Sequence, residues 1–153
     1  MELKKYLILI TILSFIKFAH AEIVKPAENL TAYDVLKIQL TALKNNNMPS
    51  KNAGIKQTWI FAHPENKKFT GPYERFEKML LGNQYNFLLN HDSHRIKLIN
   101  SSQNKYIYNI ELISRNKKMY FYEWHLEKST TDECNNCWFT TIVSPPTNKG
   151  NII

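Results

Sequence analysis

Two runs decide the fold: Tyr106-Ile107-Tyr108-Asn109-Ile110-Glu111-Leu112 and Tyr120-Phe121-Tyr122-Glu123-Trp124-His125-Leu126. In the first, Tyr106, Tyr108, Ile110 and Leu112 share one parity. In the second, Tyr120, Tyr122, Trp124 and Leu126 do. A period of two is the signature of a strand with one face turned inward. Asn116-Lys117 between them reads as a turn, so the pair is an antiparallel hairpin. On either side lie a weaker strand, Arg95 to Ile99, and a last one, Trp138 to Val143. Ser101 to Asn104 is a turn and Ser129 to Asn136 a polar loop. From Pro145 to Ile153 the chain reads as a flexible tail.

Upstream of Asn90 the period changes. Val35, Leu36, Leu40 and Leu43 within Thr31 to Leu43 have helical spacing, with Asn29 or Thr31 as the cap. Asn45-Asn46-Asn47, Pro49 and Ser50 stop that helix. A second helix covers Ala53 to Ala62, with Ile55, Trp59 and Ile60 on its buried side, and Pro64 ends it. Pro64-Glu65-Asn66-Lys67 reads as turn and cap chemistry, as does Thr70-Gly71-Pro72. A third helix begins near Gly71-Pro72, carries Phe76, Met79 and Leu80, and closes at Gly82. Tyr85 to Leu89 is one further helical turn. Helices first and strands second predict an α+β domain: N-terminal helices packed on a curved antiparallel sheet of about four strands. Both parities of the strands carry apolar residues, Met119 and Phe121 among them. The second face of the sheet is therefore expected to be covered, for which a homodimer is one solution.

The N-terminus reads as a secretory signal peptide over residues 1–21. Lys4 and Lys5 precede an apolar run from Tyr6 to Ile16, and Ala19-His20-Ala21 is a small-x-small cleavage site. The run is too short for a membrane span, and no Cys follows Ala21 to take a lipid. The expected product is exported, periplasmic or secreted, with no stable membrane anchor. Residues 22–29 are a linker and 30–144 a single domain. The full chain of 153 residues has a formal charge of +7; removing 1–21 leaves +5 over 132 residues. Only three basic residues there are Arg, and they are scattered among lysines. That is not the concentrated Arg and aromatic face of a nucleic-acid reader, so no nucleic-acid partner is expected.

Several stretches together resemble a known family. They are Ala53-Gly54-Ile55, Phe61-Ala62-His63-Pro64-Glu65-Asn66-Lys67, Thr70-Gly71-Pro72-Tyr73-Glu74-Arg75-Phe76-Glu77-Lys78-Met79, Tyr85-Asn86-Phe87-Leu88-Leu89-Asn90-His91 and Cys137-Trp138. The family is called domain of unknown function 4864, similar to members of the nuclear transport factor 2-like superfamily. The likeness runs from about Leu30 to Val143, and Pro64 to Met79 is its specific part. His63, where a small Ser is expected, and Cys134 depart from the pattern. The resemblance implies a cone-like fold with a cavity between helices and bent sheet. It brings no catalytic residues, and the superfamily hosts isomerases, dehydratases, transport adaptors and assembly domains alike.

The residues themselves offer few constellations. Cys134 and Cys137 in an exported chain read as a structural disulfide. A thioredoxin-type role needs the first Cys at a helix N-terminus, whereas a strand follows here. Zinc would need further ligands, so no metal and no cofactor are expected. His91 and His94 sit at a loop-to-strand junction beside Asp92, where an imidazole orders a turn through backbone hydrogen bonds. Glu123 and His125 share a strand face, with Glu111 a further candidate on the neighbouring strand; in a dry cone such a pair can act as acid and base. Trp59, Tyr85, Trp124 and Trp138 are the candidate lining of a cavity. Two functions follow as expectations. The first is a non-enzymatic domain binding a small apolar ligand or a protein partner. The alternative is a small enzyme of the isomerase or dehydratase sort, using Glu123 and His125.

Overall fold

The computed structural model describes residues 22–132 and 134–151; the expected signal peptide and the last two residues lie outside them. Among the described residues the domain is α+β, with four α-helices and an antiparallel sheet of five strands. Helix α1 spans Ala32–Lys44, α2 Ala53–Ile60, α3 Pro64–Thr70 and α4 Tyr73–Leu81, and a 3-10 turn covers Asn86–Leu88. The strands are β1 Ser93–Ser101, β2 Lys105–Ile113, β3 Lys118–Ser129, β4 Cys137–Val143 and β5 Thr147–Asn151.

The central hairpin pairs Tyr108 with Trp124, Ile110 with Tyr122 and Leu112 with Tyr120. The parity read from the sequence is thus one physical face, and these six side chains are all buried. Val35, Leu36, Leu40 and Leu43 of α1 belong to the same core, as do Ile55, Phe61, Phe76, Leu80 and Leu88. Thr31 starts α1 with a full capping box: its hydroxyl accepts from Asp34 N–H at 3.1 Å, and its own N–H donates to the Asp34 carboxylate at 3.1 Å. That reciprocal pair satisfies two backbone donors that a helix start otherwise leaves open.

The asparagine run does more than stop α1. Asn46 is buried, and its Oδ1 accepts the N–H of Ile55 in the first turn of α2 at 3.0 Å. α2 then approaches α1 closely at Gly54. A Cβ placed there would lie 2.1 Å from the carbonyl oxygen of Ala42 and 2.8 Å from Asn46 Cα. The expected linker at 22–29 is tied down as well. The Gln57 side-chain amide accepts from Val24 N–H and donates to Val24 C=O, both at 2.8 Å.

Two expectations are corrected. Pro64 to Thr70 is a helix, not only a turn. α2 already stops at Ile60, and Pro64 occupies the first turn of α3, where its missing N–H costs nothing. His63 caps that turn, its Nδ1 accepting from Glu65 N–H at 3.2 Å. The flexible tail is corrected too: Thr147–Asn151 is a strand, so the domain runs on past 144. The reason lies in strand lengths. β3 has 12 residues, and β4 pairs only with its second half, Trp124–Ser129. The open edge of the first half is closed by β5, which pairs with Lys118, Tyr120 and Phe121. An edge of unpaired N–H and C=O groups is a template for any extended segment that can reach it.

The Gly54 contact yields a direct test. Gly54→Ala forces two helix backbones apart, and thermal or urea unfolding should show a loss of about 3 kcal/mol, the upper end for overpacking. A variant as stable as the parent would mean that α1 and α2 do not meet here.

Candidate functional site

Below the helices, at the β4 end of the sheet, lies a cleft of about 300 Å³. Its walls are Phe76 and Leu80 from α4, Leu88 from the 3-10 turn, and Trp124 and Val143 from β3 and β4. Phe69, Met79 and Ile142 stand at its mouth, and Phe69 is 74% exposed. An aromatic ring left that far in water beside an apolar cleft is the informative kind of exposure.

The back of the cleft is a chain of buried hydrogen bonds. Trp124 Nε1–H donates to Thr140 Oγ1 at 3.0 Å. Thr140 Oγ1–H donates to Gln39 Oε1 at 2.6 Å. Gln39 Nε2–H donates to the Thr58 carbonyl at 3.2 Å. Thr58 Oγ1–H returns to the Gly54 carbonyl at 2.9 Å. All four of these side chains are buried, so each group must find its partner inside the protein. The backbone of Thr140 is engaged on the other edge of β4: its N–H donates to Phe61 C=O at 2.8 Å, and its C=O accepts from His63 N–H at 2.9 Å. Asn66 Nδ2 adds hydrogen bonds to the carbonyls of Thr140 and Thr141.

None of the residues lining the cleft is Asp, Glu, Lys, Arg or His. Tyr85 is its one titratable side chain; its hydroxyl donates to Val143 C=O at 3.1 Å, and burial raises its pKa. The cleft is therefore neutral across the physiological range.

Of the four residues expected to line a cavity, Tyr85 and Trp124 do so. Trp138 does not: it is core, edge-on to Tyr106 at 5.2 Å. Trp59 packs on Phe76 at 4.9 Å and lines a separate, wide groove of about 1000 Å³ with Lys25, His63 and Phe139. The Glu123–His125 pair exists, with His125 Nε2 2.5 Å from Glu123 Oε1. However, both lie on the face of β3 opposite Trp124, away from the cleft, where the Glu123 side chain is 52% exposed. Glu111 shares that outer face and pairs instead with Arg95. The expectation of an acid–base pair inside a dry cone is corrected on this point: strand alternation turns Glu123 and His125 outward because Tyr122, Trp124 and Leu126 turn inward. Cys134 and Cys137 are joined, closing the β3–β4 hairpin. His91 and His94 meet at 2.7 Å, and among the described residues no His, Cys, Asp or Glu joins them as a third ligand.

Gln39, Thr58 and Thr140 escaped the sequence reading. One signal was present: Gln39 interrupts the stripe Val35, Leu36, Leu40, Leu43, and a polar residue on a buried stripe needs a partner. Comparison of the chain with protein-family models, with curated proteins and with solved structures returned no match.

Two outcomes follow for stability. Thr140→Val keeps the shape but strands Trp124 Nε1–H and Gln39 Oε1; unfolding should register a loss of about 3 kcal/mol, with Thr140→Ser recovering most of it. A Thr140→Val variant as stable as the parent, with the loss falling on Thr140→Ser instead, would show that the methyl group, and not the hydroxyl, matters. Reducing the disulfide should cost no more than about 2 kcal/mol, because the closed loop is so short. Global unfolding on mild reduction would contradict that.

Proposed function

We propose that this is an exported ligand-binding protein whose cleft takes a small, neutral, apolar molecule. We place it, on its sequence resemblance, with the cone-like domains of the nuclear transport factor 2-like superfamily. The observation that carries the binding reading is the uncharged cleft with Phe69, Met79 and Ile142 at its mouth. A ligand bearing a charge would have to leave it unpaired among these walls, at a cost of several kcal/mol. An apolar ligand, in contrast, would cover surface the fold leaves exposed. What favours binding over acid–base catalysis is that Glu123 and His125 lie on the opposite face of β3 and neither lines the cleft.

The test uses N-phenyl-1-naphthylamine, a neutral apolar dye whose emission rises in apolar surroundings. Saturable binding at one dye per chain is expected, and Phe69→Ser should weaken it about tenfold, the equivalent of 1.4 kcal/mol. Phe69 is exposed, so its replacement leaves the core intact. Emission that does not saturate, or that ignores Phe69→Ser, would overturn the reading. Export is tested separately, by the N-terminal residue of protein recovered outside the cytoplasm, which should be Glu22.

A further inference from the structure

One wall of the cleft is held by two histidines. His91 Nδ1 lies 2.7 Å from the carbonyl oxygen of Leu88, and His91 Nε2 lies 2.7 Å from His94 Nδ1. A carbonyl oxygen only accepts, so His91 carries its hydrogen on Nδ1 and presents a bare Nε2. His94 must then donate from Nδ1. The donors run in one direction, from His94 to His91 to Leu88. His91 is 2% exposed and His94 half-buried.

The pair can accept one proton without rearranging. That proton adds to His94 Nε2, on the far side of its ring, and every hydrogen bond survives. A second proton has only His91 Nε2 to occupy. It would set one N–H against another across 2.7 Å, inside a buried contact, and the contact must open.

We propose that the His91–His94 pair is an acid-operated latch on the cleft, opening when it takes up its second proton. The inference rests on the reading of the cleft as a binding site. Leu88, whose carbonyl the latch holds, and Tyr85, at the start of the same turn, both line the cleft. Opening the pair frees the 85–89 segment and lets the bound molecule leave.

The surroundings favour the uncharged, closed pair. Lys44, at the end of α1, faces both rings. Asp92, the neighbouring carboxylate, is tied to Lys117 of the β2–β3 turn and also feels Arg115. Burial foremost, with His94 and Lys44 adding to it, pushes His91 down to about 4 from an ordinary 6.5, against the hydrogen bond to Leu88 and the charge of Asp92. The sign follows. In the open segment His91 titrates normally and binds protons that the closed form refuses. The closed form is fully favoured above about pH 6.5 and loses roughly tenfold per pH unit below it, down to about pH 4.

Hydrogen exchange on the full exported chain reads the latch without any ligand. Leu88 N–H bonds Tyr85 C=O, and Leu89 N–H bonds Asn86 C=O, both at 3.0 Å. After correction for intrinsic rates, their protection should fall roughly 15-fold between pH 6.5 and pH 5, while Leu40 in α1 stays protected. Affinity for N-phenyl-1-naphthylamine should fall over the same interval. His91→Gln can keep a donor toward Leu88 and an acceptor toward His94 without a titrating nitrogen, and should flatten both curves. If that variant does not fold, His94→Ala serves: His91 Nε2 then no longer faces a donor, and the loss of protection should become shallower. Protection in the parent that is unchanged from pH 6.5 to 5, or pH dependence that persists in His91→Gln or at full depth in His94→Ala, would overturn the latch. Dye that fails to bind at any pH would instead overturn the ligand reading, with the exchange data still deciding whether the latch opens.

Discussion

Thr140 is the residue on which the domain converges. Its side chain joins Trp124 of β3 to Gln39 of α1, and its backbone joins β4 to the segment just after α2. Four elements are fixed by one residue, and one of the links spans 101 positions of sequence. Such a buried polar chain adds little net stability when complete, because water would satisfy the same groups. Its force is in what it forbids. Any packing of α1 on the sheet that misplaces Gln39 leaves a donor or an acceptor buried without a partner. The chain therefore sets the register of helix against strand where an apolar contact alone would tolerate sliding.

That constraint explains why the cleft is where it is. The aromatic cluster beneath the centre of the sheet is close-packed; Phe87 stacks on Tyr120 at 4.1 Å, and Tyr122 and Trp124 are almost fully buried. Toward β4 the helices are held by hydrogen bonds at defined distances. α3 and α4 are short, with seven and nine residues. They reach the sheet at Phe76 and Leu80 but leave Phe69 and Met79 outside. An apolar gap survives because closing it would break the polar chain behind it.

Much of this was legible in the sequence. The parity of Tyr106 to Leu112 and of Tyr120 to Leu126 identified the inward face, and register bears it out pair by pair. The stripe of α1 did the same for the helical layer. What escaped depended on distant partners. Seven residues from Pro64 to Thr70 are too few to show a period, and their helix is set by a cap and a proline. β5 has almost no apolar character; it forms because β3 outruns β4, a fact about two other strands. The polar chain behind the cleft joins residues up to 101 apart, so only the odd position of Gln39 on its stripe hinted at it. The tryptophans were read by type, and type cannot tell the cleft from the core: Trp124 faces the one and Trp138 the other, though both sit on inward parity.

The same reasoning separates the two histidine pairs, which look alike on paper. Glu123 and His125 are two apart on a strand, so they share a face, and that face is the outer one. A short hydrogen bond there competes with water on its exposed side and moves nothing when it breaks. His91 and His94 are three apart across a loop-to-strand junction, where His91 reaches the carbonyl of Leu88 in the 3-10 segment. There His91 holds a cleft wall by one ring nitrogen, and the second proton sets its other nitrogen against the N–H of His94. Each place puts an imidazole nitrogen in a short hydrogen bond. What differs is what each ring is holding, and in the second case it is the backbone of Leu88.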